Sequence, residues 1–325
     1  MFVGILGTLG SGIQDVAEFL VNELSFRFLA LKNKNLDIYQ HLDVFKFFET
    51  AKEMQLYATK RWSENFVMIA DMANADLDLF LKRPFFLLIS VDGPLTQRFK
   101  RYQQCISEKS VKEVSLAEFI VQSEEKKYAD DLFLLRNLDR ANIKLINQAK
   151  DQASLFKELR ELDIKNPERL RPAWDAYFMS LANLAAHRAN CMKRRVGCVI
   201  IRDKRVIATG YNGTPRNFKN CNEGGCPRCN SADASGVGLS TCLCLHAEEN
   251  ALLEAGRDRI GSSATVYCNT CPCLTCSIKI IQAGVREVVY SQSYSMDALS
   301  SRVLKQSGVT LRQFIPPKSG IVIIK

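Results

Sequence analysis

His246-Ala247-Glu248, followed downstream by Pro272-Cys273-Leu274-Thr275-Cys276, is the stretch that decides how this chain is read. One imidazole and two thiolates are suitable ligands for Zn²⁺, and three protein ligands leave the fourth tetrahedral position open for water. Glu248 lies two residues beyond His246, on a helix expected to begin there. It is placed to face the same pocket as a base without ligating. A C-x-x-C pair alone is a weak signal. Paired with H-x-E, and following a strand expected over 264–268, it is specific.

Both halves of the motif fall where a strand gives way to a helix. The positive end of each helix then faces the site and lowers the thiol pKa values of Cys273 and Cys276. A purely structural zinc site would need a fourth ligand, for which Cys271 or Cys268 could serve, but it would have no use for Glu248. The expected roles are therefore ligation by His246, Cys273 and Cys276, and proton transfer by Glu248.

Outward from the motif, the second half reads as a helix over 173–190, strands over 196–201 and 205–210, and a Gly/Asn/Pro-rich loop. A Cys-rich insertion follows over 217–244. After His246 come the strand over 264–268, a helix after Cys273, a strand over 286–290, a helix over 296–307 and a last strand over 309–314. Nine of the twelve cysteines fall between Cys221 and Cys276. Clustering at such spacings favours metal over a disulfide framework. Cys221, Cys226, Cys229 and Cys242 make a closed Cys₄ site that would fold the insertion around a second, structural zinc, with Cys244 as the alternate fourth ligand. Free buried thiols or redox sensors are the other readings of these residues.

The first half opens with an apolar run, Phe2 to Leu6, and a turn, Gly7-Thr-Leu-Gly-Ser-Gly12. A helical pattern with Val16, Phe19, Leu20 and Leu24 follows. A second strand is expected over Phe85 to Val91, and helices over roughly 43–81 and 116–163. The turn matches the start of a phosphate-binding loop. However, Ile13 and Gln14 stand where such a loop carries lysine and Ser/Thr, so phosphoryl transfer would lose its main charge stabilisation. With Asp92-Gly-Pro94, Arg98 and Arg101, residues 1–165 resemble a P-loop nucleoside-monophosphate-kinase-like α/β domain that has lost its activity. The second domain spans 166–325.

The formal charge of +9 suits anionic ligands such as nucleotides and gives little support for a nucleic-acid partner. No apolar run approaches the ~18 residues of a membrane span. The start MFVGILGTLGSG lacks the features of a signal peptide. An intracellular protein is expected, in the cytoplasm and with the nucleus as a second compartment.

The H-x-E…P-C-x-x-C pattern is that of zinc-dependent nucleobase deaminases. His246-Ala-Glu-Glu-Asn-Ala251, Pro272-Cys-Leu-Thr-Cys276, Ile280-Ile-Gln-Ala-Gly284 and Gly210-Tyr-Asn-Gly-Thr-Pro-Arg216 together resemble the deoxycytidylate (dCMP) deaminase family. The insertion and the N-terminal half are similar to its fungal form. The resemblance implies a cytidine-deaminase-like three-layer α/β/α domain with a mixed sheet. It implies conversion of dCMP to dUMP and ammonia for thymidylate synthesis, activation by dCTP with Mg²⁺, inhibition by dTTP, and a homo-oligomer. It also implies that Asn212 contacts the substrate sugar. Cationic candidates for the 5′-phosphate are Arg188 and Arg216, with Lys193, Arg194 and Arg195 beside them. A deaminase of tRNA or single-stranded nucleic acid, and a non-catalytic zinc or nucleotide sensor, are the alternatives.

Overall fold

The computed structural model describes residues 1–32, 42–108, 114–231, 237–293, 297–316 and 320–325. Residues 232–236 of the insertion, and residue 296 at the start of the helix expected over 296–307, lie outside the described residues. The chain forms two compact units, one of Met1–Arg171 with Pro317–Lys325 and one of Pro172–Pro316.

The first unit contains β1 (Phe2–Gly7), α1 (Ile13–Asn22), β2 (Arg27–Leu31), β3 (Val44–Phe48), α2 (Ala51–Lys60) and β4 (Phe66–Ile69). It continues through α3 (Asn74–Leu81), β5 (Phe86–Asp92), α4 (Leu95–Glu108), α5 (Leu116–Lys127), α6 (Phe133–Arg140), β6 (Ile143–Asn147) and α7 (Gln152–Leu162). The second unit runs α8 (Trp174–Ala186), β7 (Gly197–Arg202), β8 (Arg205–Tyr211), α9 (Pro227–Asn230), α10 (Ala247–Ala255) and α11 (Arg257–Ile260). It then forms β9 (Thr265–Thr270), α12 (Leu274–Ala283), β10 (Glu287–Gln292), α13 (Asp297–Gln306) and β11 (Thr310–Gln313). The last strand, β12 (Gly320–Ile324), belongs to the first unit.

The first sheet has the order β12-β6-β5-β1-β4-β2-β3 with parallel pairings. All six residues of β1 are buried, as expected of a parallel strand covered on both faces. Val3 and Ile5 pack with α1 and α7, whereas Phe2 and Leu6 pack with α2, α3 and α6. Two expectations fail here. The spans 43–81 and 116–163 are not continuous helix, because β3, β4 and β6 interrupt them. The division into 1–165 and 166–325 also shifts. Leu170 packs on the first core, and Val322 and Ile324 return to it as β12 pairs with β6.

The second unit is a mixed five-stranded sheet, β11-β10-β9-β7-β8, with β7 antiparallel to both neighbours and β9, β10 and β11 parallel. Alternation along the strands makes two cores. Cys198, Ile200, Val266, Cys268 and Val288 face α10, α12 and α13, while Val199, Ile201, Tyr267 and Val289 face α8. The result is three layers. Glycine permits the close approach on each side. A Cβ on Gly197 would lie 2.0 Å from the Ala182 carbonyl of α8, and one on Gly210 would lie 2.1 Å from the Ala247 carbonyl of α10. On the α8 side, Asp175 accepts two bonds from Arg312 of β11, at 2.6 and 3.1 Å, and one from the Tyr267 hydroxyl at 2.7 Å.

Candidate active site

His246 and Cys273 occupy equivalent places, each the residue that precedes the first turn of a helix, α10 and α12 respectively. β8 presses on α10 at Gly210, and β9 leads into the Cys271-Pro272 turn, whose Cys271 N–H donates to the Gln292 carbonyl at 2.9 Å. The two helix N-termini therefore converge. His246 Nδ1 lies 3.4 Å from Cys273 Sγ and 3.3 Å from Cys276 Sγ, and all three atoms lie within 4.8 Å of one another.

These three soft donors fit a tetrahedral zinc with one position open. Neither Cys268 nor Cys271 joins the group among the described residues, so the closed structural alternative is not formed. The Cys276 thiol and the His246 ring, both hydrogen-bonded to Cys273, pull the Cys273 thiol down to about 4 against its own burial. Cys276 departs from the expectation that both thiols are lowered: the same contact with Cys273, reinforced by burial, raises it. The hydrogen bond to Cys273 raises His246. A divalent cation held by the three would displace their protons.

Glu248 is 4% exposed and sits beside the trio without belonging to it. Burial raises its carboxyl above the usual range, partly offset by its own backbone N–H and the nearby His246. A buried carboxyl poised toward neutrality, next to a metal position, suits proton transfer in both directions. Glu249, one residue on, accepts the His246 backbone N–H at 2.9 Å and pairs with Lys279 of α12. This clasp joins the two ligand-bearing helices, and the sequence reading did not single it out. Its signal was a Glu three residues after a helix-starting residue.

Asn212 is nearly buried, and its side chain accepts from Val196 N–H at 2.8 Å and donates to the Arg194 carbonyl at 2.7 Å. It therefore holds the 194–196 segment against the end of β8. Gly213 pairs with Leu245, just before His246. Arg216 is 94% exposed and lies 3.7 Å from Glu254 of α10. Arg188 and Arg195 are exposed, Lys193 donates to the Ser231 carbonyl, and Arg194 to Gln292.

The insertion differs from expectation. Cys221, Cys226, Cys229 and Cys242 do not assemble as one set. Cys221 groups instead with Cys191, Cys229 and Cys244, while Cys226 and Cys242 group with Cys229 and Cys244. Cys191, thirty residues from Cys221 and outside any short spacing motif, was missed because the loop after α8 brings it in only through the fold.

Residues 172–292 match the family model for the cytidine and deoxycytidylate deaminase zinc-binding region. A deoxycytidylate deaminase of Schizosaccharomyces pombe is 48% identical over 98% of this chain and 99% of its own length. A deoxycytidylate deaminase of Saccharomyces cerevisiae is 46% identical over 97% of this chain and 96% of its own. A crystal structure of the dCMP deaminase of cyanophage S-TIM5 in complex with dCMP and dUMP is 28% identical, covering 42% of this chain and 94% of that one, with a TM-score of 0.34. With His246, Cys273 and Cys276 brought together and its likeness to the fungal enzymes running almost end to end, the chain belongs to the deoxycytidylate deaminase family.

Proposed function

We propose that the chain hydrolyses dCMP to dUMP and ammonia, supplying dUMP for thymidylate synthesis. The observation that carries this reading is the buried Glu248 carboxyl beside the His246–Cys273–Cys276 trio, in a chain similar over nearly its whole length to deoxycytidylate deaminases. Zinc held by the trio would supply the acidification of a water molecule. Glu248 accepts the proton released from that water and delivers it to the pyrimidine ring nitrogen. The water oxygen bonds to C4; Glu248 then takes that oxygen's second proton and passes it to the exocyclic amine, and the C4–N bond breaks as the C4 carbonyl forms, releasing ammonia. Hydrogen bonds from Cys276 and His246 favour the Cys273 thiolate, and burial keeps Glu248 ready to carry the proton both ways.

Asn212 is assigned to the substrate sugar. Its amide spends one donor and one acceptor on the Arg194–Val196 segment, and a carboxamide has a second of each. Arg188 and Arg216 are assigned to the 5′-phosphate; both are exposed, and Arg216 would exchange its 3.7 Å contact with Glu254 for the phosphate. Regulation by dCTP with Mg²⁺ and by dTTP, and a homo-oligomer, follow the family resemblance. Leu253 and Ile278, 73% and 53% exposed on α10 and α12, support an interface there. A cytoplasmic or nuclear location fits free-nucleotide chemistry, and among the described residues no helix is long and apolar enough to cross a membrane.

The first unit is assigned as a degenerate P-loop kinase-like scaffold. Its glycine turn follows β1 at the centre of a parallel sheet, with Ile13 at the lysine position. Arg98 donates to the Leu9 and Gly93 carbonyls, and Arg101 to the Ala149 carbonyl, so both act as internal ties. The Cys-rich insertion is assigned a structural zinc.

Glu248→Gln tests the central assignment. dCMP turnover should fall by about 10²–10⁴-fold, the usual worth of a general acid–base, with zinc content unchanged. Near-normal turnover in that variant would contradict the mechanism.

A further inference from the structure

Six cysteines converge outside the active site: Cys191 from the loop after α8, Cys221, Cys226 and Cys229 from the first part of the insertion, and Cys242 and Cys244 from its end, just before His246. Their sulfurs divide into two quartets, each with all its atoms within 4.8 Å of one another, and the quartets share Cys229 and Cys244. Cys191 and Cys221 complete one, and Cys226 and Cys242 complete the other.

The separations are those of coordination tetrahedra. A Zn–S bond of 2.3 Å implies a tetrahedral S···S edge of about 3.8 Å. The Cys191–Cys229, Cys226–Cys242, Cys229–Cys242 and Cys229–Cys244 sulfurs lie 3.7, 4.0, 3.5 and 3.8 Å apart. A disulfide would bring two sulfurs to about 2.0 Å and leave the rest unpaired. Cys229 has three sulfur neighbours, so no single pairing accounts for it.

Donors surround the sulfurs as they would a thiolate cluster. Met192 N–H donates to Cys221 Sγ and Leu243 N–H to Cys226 Sγ, both at 3.4 Å. Asn230 Nδ2 lies 3.8 Å from Cys221 Sγ, and the Arg228 side chain, whose Nε donates to the Val237 carbonyl, brings a positive charge beside Cys229 and Cys242. Six thiolates around two divalent zinc ions carry a net charge of −2, which these donors and Arg228 offset.

We propose that this site is a binuclear zinc–thiolate cluster, two tetrahedra sharing the Cys229–Cys244 edge. Cys191 and Cys221 are the terminal ligands of one ion, and Cys226 and Cys242 those of the other. This deepens the assignment of a structural zinc to the insertion and is independent of the catalytic trio. A single zinc would satisfy four sulfurs and strand two. The shared edge satisfies all six. The cluster also fixes the approach to the active site, because Cys244 lies two residues before His246 and Cys191 opens the segment whose Arg194 carbonyl receives Asn212.

Metal counting on the full-length holoprotein, with ¹¹³Cd NMR after cadmium exchange, tests the proposal. Three zinc ions per chain are expected, together with two cadmium resonances in the all-thiolate range that are scalar-coupled through the bridging sulfurs. His246→Ala should lower the count by one and leave the coupled pair in place, which separates this site from the catalytic one. A single all-thiolate resonance, with two zinc ions per chain, would overturn the shared edge while sparing a mononuclear structural zinc. No all-thiolate resonance would overturn both, and two uncoupled resonances would overturn the bridging.

Discussion

Glu249 receives the backbone N–H of His246 at 2.9 Å through one carboxylate oxygen, and its other oxygen pairs with Lys279 on the helix that carries Cys276. The residue next to Glu248 thus ties the start of the helix after His246 to the helix that carries Cys276. Glu249→Ala should remove a capping bond worth about 0.5–2 kcal/mol and loosen the zinc trio. The expected result is faster zinc loss to a chelator, with the affinity for dCMP changed less than kcat. Zinc-release kinetics check this, and an unchanged release rate would show the clasp to be idle.

Gly210 faces the carbonyl of Ala247, the residue between His246 and Glu248. Gly210→Ala would place a methyl 2.1 Å from that oxygen, against backbone that cannot swing away. Overpacking of this kind costs about 1–3 kcal/mol. Because the displaced element is the start of α10, activity should fall by more than stability alone explains. Paired denaturation and turnover measurements on zinc-replete protein decide it.

Asn212→Ala removes a nearly buried amide that holds Val196 N–H and the Arg194 carbonyl, and leaving those groups unmet costs about 1–3 kcal/mol. Both the unfolding midpoint and the KM for dCMP should suffer. A raised KM at unchanged stability would assign Asn212 to the sugar alone, and lost stability at unchanged KM would make it a scaffold residue.

Asp175 is held below the usual carboxylate range, first by its hydrogen bond from Arg312 and then by the Tyr267 hydroxyl, against burial. A depressed carboxyl contributes stability that is present above its unfolded pKa, about 3.9, and is lost as pH falls through its folded value. Asp175→Asn should therefore lower the unfolding midpoint at neutral pH and converge on the wild type in acid. Parallel curves from pH 7 down to 2 would show the ion pair to be inert.

The meeting of His246, Cys273 and Cys276 was legible because a zinc site imposes local spacing. C-x-x-C places two sulfurs on one helix turn, and H-x-E opens another. The strands of the second unit were also legible, since one face of β7 meets α8 and the other meets α10, and alternation records it. Phe66–Ile69 was missed because a four-residue run buried on both sides carries no period. Gly320–Ile324 was missed because its partner β6 lies far back along the chain. Cys191 and the split of the insertion into two quartets depend on loops brought together by the fold, which spacing cannot report.

Ammonia release by the zinc-replete protein, measured side by side on dCMP, deoxycytidine, CMP and an adenosine-containing tRNA, tests the central claim most directly. The account predicts turnover of dCMP far above the others, abolished when zinc is removed and restored when it is returned. Silence on dCMP in zinc-loaded protein, or preferential turnover of the tRNA, would contradict it.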